Sequence, residues 1–426
     1  MITLMSLAFY AFRIMANPAP DSLTLDDCQR MARQNFPNLE NKRRYEKLFQ
    51  LTRKEINTIW LPQATLNGQF AYQSDVFELP FAPQGIELVE IPHERYMGTV
   101  DISQTIYDGG MSRNKKTVEQ ERLKANQKDL DGELLELERT VNDLYFAILL
   151  AQKNDSILQQ TQALLREREK AVQAAYEGGT AAVVDVLRIQ TELLNIERQA
   201  VENRKNLRAL TQTLEIAAGM DLDNAAFHVP DLPQLPVAAL DNRPEIGAVE
   251  ARMRELEAQS QGLASELKPR VSAFFSGGAG APNPYNFYEV DFSGFYNAGV
   301  RLSWKFIDWK AASYDRQALQ IRKDMLNAAR ENIERNIETK LVNIREDYEM
   351  HRNLAERDRE IIAVREKIRD LSALRLDEGV ISSTEFLEDV NAEKTAKLAY
   401  EARRIQMLKT AYDYILESGH QRDDNL

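Results

Sequence analysis

Glu385 and Glu388 lie three residues apart, a spacing that puts both carboxylates on one face of a helix. Paired acids of this kind attract cations, and several copies arranged around one axis would concentrate that attraction. In a chain with 28% charged residues a solvated helix face accounts for the same pair, and both readings stand. Nothing else in the sequence suggests bond-making chemistry. His93, His228, His351 and His420 are scattered among loop, connector, helix and tail without metal-ligand spacing. Gly277, Gly278 and Gly280 end a strand pattern with no helix after it, so they do not form a phosphate loop. The single cysteine, Cys28, excludes a disulfide framework and a cysteine-rich metal site. Flanked by Asp27 and Gln29, it reads as a buried structural thiol. No catalytic constellation or cofactor is expected, and the chain reads as a non-enzyme. The net charge of −12 argues against nucleic acid and against an anionic membrane surface as partners.

The elements that would carry the acidic pair follow from periodicity. Thr24 to Trp60 is helical in pattern, with Thr24 or Asp26 as N-cap, an interruption at Pro37 and an end at Pro62. From Gln63 the period becomes two: Ala64, Leu66, Gly68, Phe70 and Tyr72 alternate with Gln63, Thr65, Asn67 and Gln69. After a loop from Leu79 to Arg95 a second run sets Val100, Ile102 and Ile106 against Thr99, Asp101, Ser103 and Thr105. Strands are expected near 62–75, 97–107, 269–278 and 295–306. Each pair precedes a Pro-free helix, Met111 to Tyr176 and Ala311 to Leu376, of a length near 100 Å at about 1.5 Å per residue. Leu130, Leu134, Leu137, Val141, Leu144, Ile148 and Ala151 step by three and four, as a coiled coil requires, and Ile337, Leu341, Ile344 and Tyr348 match them. Gly179 and Gly379 then reverse the chain into shorter helices, Ala181 to Ala218 and Ser383 to Ser418. Gly109 and Gly110 mark a sharp strand-to-helix bend.

This order of elements occurs twice. Asp108 corresponds to Asp308, Gly179 to Gly379 and Gly219 to Gly419, while Pro37 and Pro62 correspond to Pro244 and Pro269 at a slightly larger offset. The expected organisation is an atypical signal peptide over 1–20, a first repeat over 21–219, a Pro-rich connector over 220–243, a second repeat over 244–419 and a tail over 420–426. The apolar run from Ile2 to Ala16 lacks a basic start and contains Arg13, which makes it atypical.

Strands apolar on one side and polar on the other suit lipid outside and water inside. In a bilayer, however, every strand edge must be closed. Four strands cannot close, because barrels start at about eight, whereas three copies would supply about 12. The fold expected is mainly α with a transmembrane β part: long helical hairpins forming a coiled-coil tunnel, and four strands per chain in a shared trimeric barrel. The alternative is a soluble periplasmic coiled-coil scaffold whose strands pack on protein.

The turn Tyr176, Glu177, Gly178, Gly179, Thr180, Ala181, Ala182, Val183, Val184, Asp185, Val186, Leu187 resembles the aromatic-x-x-Gly-Thr then Val-Asp-Val-Leu pattern of the TolC family of trimeric outer-membrane channels. The opening Leu23, Thr24, Leu25, Asp26, Asp27, Cys28 resembles that family's first helix, and with the duplication the resemblance extends from about Ser22 to Gly419. It implies a homotrimer in the outer membrane of a Gram-negative bacterium, with a 12-stranded barrel and a helical tunnel crossing the periplasm. It also implies passive conduction for efflux or type I secretion, with a periplasmic adaptor and an inner-membrane RND or ABC transporter as partners. Under this resemblance the turns form the periplasmic mouth, and Gly179, Thr180, Val183, Asp185, Gly379, Val380 and Ile381 are candidate adaptor contacts. Glu385 and Glu388 would line the tunnel near its closed end, giving up to about six carboxylates in three copies. The chain departs from the family in having Glu where the family has Asp, Leu376 at an aromatic position and Ile381 where a basic residue can occur.

Overall fold

The computed structural model describes residues 22–76, 91–222, 225–286 and 288–419. The expected signal peptide, His420 and the C-terminal tail lie outside the described residues, as does most of the Leu79–Arg95 loop. The elements in chain order are α1 Leu25–Asn35, α2 Glu40–Asn57, β1 Gln63–Tyr72, β2 Glu94–Tyr107, α3 Met111–Glu177, α4 Val183–Ala218, α5 Pro244–Glu266, β3 Arg270–Ala281, β4 Ser293–Ser303, α6 Ala311–Asp377 and α7 Ser383–Glu417. By contacts the chain divides into two units, each drawn from both halves of the sequence. One takes residues up to 41, 129–246 and from 332 onward; the other takes 42–128 and 247–331.

In the first unit, α1 begins with a capping box. The Thr24 hydroxyl accepts the Asp27 N–H at 3.2 Å and the Asp27 carboxylate accepts the Thr24 N–H at 3.3 Å. The helix stops at Phe36, because the following Pro37 disfavours helical backbone in the residue before it. Leu25, Cys28 and Ala32 pack on Val141, Tyr145, Ile148 and Leu149 of α3, with Leu214 of α4 and Ile405 and Leu408 of α7 completing the cluster. The single heptad seam expected on α3 is therefore too narrow. Glu138, Asn142, Tyr145, Phe146 and Leu149 are buried beside it, because this cluster draws on α1, α4 and α7 as well as α3. Burial also holds Cys28 as an inert thiol, its pKa pushed up to about 12.

The Pro-rich connector is tied down by its backbone. Leu23 and Phe227 form a parallel bridge, and the Tyr145 hydroxyl shares its one proton between the carbonyls of Leu23 and His228, at 2.9 and 2.5 Å. Ala239 N–H donates to the Ser418 carbonyl at 2.7 Å.

The second unit contains the sheet, an antiparallel meander in the order β1-β2-β3-β4. Both hairpins expected from the alternation are present. Joining them is a pairing that local pattern does not reveal, β2 with β3, which sets Val100 opposite Gly277 and Ile102 opposite Phe275. Strand β4 ends at Ser303 rather than continuing through Phe306, because its partner β3 begins at Arg270, opposite Ser303. Trp304, left without a ladder, donates its indole N–H to the Leu267 carbonyl at 2.9 Å.

Both strand-to-helix junctions use the same device. Asp108 accepts the N–H groups of Gly110 and Ser112 at 2.9 and 2.7 Å, and Asp308 accepts those of Lys310 and Ala312, both at 3.0 Å. The intervening backbone is left-handed in each case, with φ of +72° and +91° at Gly109 and Gly110, and of +50° and +66° at Trp309 and Lys310.

Candidate functional site

Two surfaces carry functional potential, the paired helix turns of the first unit and the sheet of the second. At the end of α3, Gly179 (φ +78°) donates to the Tyr176 carbonyl at 3.0 Å and Thr180 N–H to that of Ala175 at 2.8 Å. At the end of α6, Gly379 (φ +71°) donates to Leu376 at 3.0 Å and Val380 N–H to Arg375 at 2.8 Å. Both are Schellman motifs, in which a left-handed residue satisfies carbonyls that the helix end leaves free. The expected turn residues are unequally presented. Gly179, Thr180, Val183, Gly379 and Val380 are exposed, whereas Asp185 is half-buried and Ile381 packs beneath the turn against the cluster that includes Val186, Phe386 and Val390.

Ser382 caps α7, its hydroxyl accepting the Glu385 N–H at 3.4 Å. Glu385 and Glu388 are both exposed, while Phe386 and Val390 turn into the core. Glu388 lines a shallow groove of about 600 Å³ between α4 and α7, shared with Val184, Leu187, Arg188, Glu192 and Thr384. Arg188 of α4 thus lies in the same groove as a member of the acidic pair.

Ion pairs that sequence reading did not assign join the helices here. The Arg168 guanidinium on α3 takes both oxygens of Asp377 at the end of α6, at 2.7 and 2.9 Å, and lies 5.6 Å above the Phe386 ring. Glu393 is buried and paired with Arg369 at 2.9 Å and Lys397 at 2.6 Å; Lys397 also reaches Glu366 at 2.9 Å. Burial works against the charge on Lys397, but its two carboxylate partners outweigh it and raise the pKa. Arg168 and Asp377 are 209 residues apart. Only the duplication, which sets the end of α6 in correspondence with the end of α3, could have hinted at such a pair.

In the sheet, the register places most large apolar side chains on one face, with Glu94 and Gln104 as polar exceptions there and Met97, Phe274 and Phe295 as apolar exceptions on the other. One face presents Leu66, Phe70 and Tyr72 of β1, Tyr96, Val100 and Ile102 of β2, Ala273, Phe275 and Ala279 of β3, and Tyr296, Ala298, Val300 and Leu302 of β4. Leu66 is 80% exposed, Tyr296 76% and Val300 67%. On the other face Asp101 accepts hydrogen bonds from Asn67 at 2.5 Å, from Thr99 at 3.1 Å and from Ser276, linking three strands. Within the described residues β1 and β4 each have one unpaired edge. Among those residues no helix is long and apolar enough to cross a membrane.

The chain thus combines long helical hairpins closed by Schellman turns with an open sheet that is mainly apolar on one face, where Glu94 and Gln104 of β2 are the polar exceptions among the described residues. Residues 29–220 match the model of the outer membrane efflux protein family, and nearly the whole chain has the fold of outer-membrane channels. The Campylobacter jejuni CmeC outer membrane channel aligns at a TM-score of 0.70 and 15% identity, over 98% of this chain and 94% of that one. The Vibrio cholerae outer membrane protein VceC aligns at 0.69 and 12%, over 93% and 96%. The open state of the Neisseria gonorrhoeae MtrE outer membrane channel aligns at 0.67 and 14%, over 93% and 88%. Comparison with curated protein sequences gives no match. The fold is that of outer-membrane channels, and the large apolar side chains of the sheet, such as Leu66, Tyr296 and Val300, are not covered by protein of the same chain.

Proposed function

We propose that three copies of this chain form the exit duct of a tripartite efflux or type I secretion system. The duct passively conducts small toxic molecules, or a secreted polypeptide, received from an inner-membrane RND or ABC transporter through a periplasmic adaptor. The observation that carries this reading is the mainly apolar, exposed face of a four-stranded sheet with open edges. Lipid is the solvent that matches such a face, and three copies bring the strand number to about 12, within the range of closed barrels.

In this reading Gly179, Thr180, Val183, Asp185, Gly379, Val380 and Ile381 form the adaptor-docking tip, with Asp185 and Ile381 shaping it from beneath. Glu385 and Glu388 of three copies make an acidic constriction that favours cations and is blocked by divalent ones. The Arg168–Asp377 pair holds the two hairpins together at the turns, so opening requires it to separate. The chain performs no bond chemistry; its work is shape and charge.

Single-channel recording in planar bilayers tests this reading, with the wild type compared with the Glu385→Gln, Glu388→Gln double variant. Discrete cation-selective steps are expected, with weaker selectivity and divalent block in the variant. A variant identical to wild type would remove the acidic constriction, and a purified protein that never conducts would remove the channel.

A further inference from the structure

The second unit holds a cavity of about 790 Å³ where α2, α3 and α5 meet the sheet. Gln63, Ser103 and Thr105 form its strand wall. Gln63 pairs with Ser103 on the face that also carries Thr65 and Asp101, opposite the face of Leu66 and Val100. The cavity therefore lies on the side of the sheet that the proposed duct gives to water. Its helix wall is nevertheless apolar: Ile56 of α2, Ile59 just beyond it, Val118 of α3 and Leu263 of α5 converge there, each half-buried. Apolar walls with a few charged groups, in a space of this size, are what small organic ligands occupy.

Gly262 keeps that space clear. It stands within α5, where glycine weakens a helix, and its backbone does not require it. A Cβ at Gly262 would meet only the Asn114 Cβ at 3.8 Å, an ordinary contact, so a larger side chain would fit the helix and take up the cavity instead. Charge narrows the ligand further. Glu55, Glu119 and Glu266 line the cavity against one cation, Lys115. Glu119 is paired with Arg122 at 3.0 Å, whereas Glu55, Glu266 and Lys115 enter no ion pair among the described residues. A surplus of carboxylates raises the local concentration of cations and repels anions. We propose that this cavity is a binding site in the duct wall for hydrophobic organic cations, the apolar side chains taking the ring system and Glu55 and Glu266 its charge. The proposal rests on the duct reading and names a class of cargo for it.

The test uses the full chain in lipid nanodiscs, with ethidium as probe and empty nanodiscs as baseline. Saturable binding, read by ethidium fluorescence, is expected. Gly262→Leu favours the helix while filling the cavity and should weaken binding about tenfold; the Glu55→Gln, Glu266→Gln double variant should weaken it about fivefold. Both should retain the helical circular dichroism of the wild type. Ethidium that binds no better than to empty nanodiscs, or equally well to wild type and Gly262→Leu, would overturn the site. Binding that falls with Gly262→Leu but not with the double variant would overturn the choice of a cation. Conductance of the same wild-type protein in planar bilayers separates the two readings. Conduction without ethidium binding would remove the site and leave the duct, and ethidium binding without conduction would overturn both the duct and the role of the cavity in transport.

Discussion

Glu417 is 2% exposed and meets three cations: Arg243 at 3.3 Å, with Arg139 and Lys340 closer still. The cations come from α3, α6 and the connector, so one carboxylate at the end of α7 ties four segments together. Burial opposes its charge, but the Lys340 hydrogen bond and the Arg243 and Arg139 charges outweigh it and hold its pKa below the ordinary glutamate range. A depressed carboxylate pKa gives stability that is full above the unfolded pKa and is lost as pH falls through the folded one. Glu417→Gln should therefore cost about 1–3 kcal/mol near neutral pH, because Arg243, itself 3% exposed, loses one of two carboxylate partners and keeps Glu245 at 2.7 Å. Thermal unfolding followed by circular dichroism should show a lower midpoint in the variant, with the gap closing on acidification. A gap that persists at acid pH would mean that packing, not charge, is what the residue contributes.

Element-scale behaviour turns on how the two hairpins are joined at their turns. In the Arg168–Asp377 contact one guanidinium nitrogen, Nη1, reaches both carboxylate oxygens, and Asp377 is half exposed, so solvent screening keeps the ion pair near 0.5–1 kcal/mol; the guanidinium over Phe386 adds about as much. A total of about 1–2 kcal/mol corresponds to a factor of about 5–30 in a two-state equilibrium. Arg168→Ala is thus expected to raise single-channel open probability by about tenfold, without altering the conductance of the open state. An unchanged open probability would show that the pair is not broken on opening. The strand-to-helix junctions show how the repeats diverged. A Cβ at Gly109 would come within 2.9 Å of the Ser265 carbonyl, whereas Trp309 at the corresponding bend is 87% exposed. The same left-handed turn therefore excludes a side chain in one repeat and accepts the largest one in the other.

At the scale of the whole molecule, the sheet predicts opposite outcomes for its two faces. Leu66→Arg or Val300→Arg would put a charge on the lipid side and cost about 2–4 kcal/mol near the bilayer midplane. Assembled protein in the outer-membrane fraction should fall sharply for both. Thr65→Arg and Asn297→Arg, on the polar face, should assemble normally and change conductance instead. Equal effects from both faces would contradict the assignment of lipid and water sides.

Period, punctuation and duplication were written in the sequence. The alternation from Gln63, the Pro-free stretches from Met111 and Ala311, and the glycines at 179 and 379 are local signals, and the strands, long helices and turns stand within a few residues of where those signals put them. The strand count with its polarity led to the proposal of a barrel shared between copies, since unclosed edges are not tolerated in lipid. What sequence could not supply were relations between distant residues: the β2–β3 pairing that merges two hairpins into one sheet, the wide buried face of α3, the Arg168–Asp377 bridge and the Glu417 cluster. Each depends on which side of a helix or strand meets another element, and that is fixed by packing several elements at once. Period alone says that a face is apolar; only the tertiary structure says what covers it, and which faces are left uncovered.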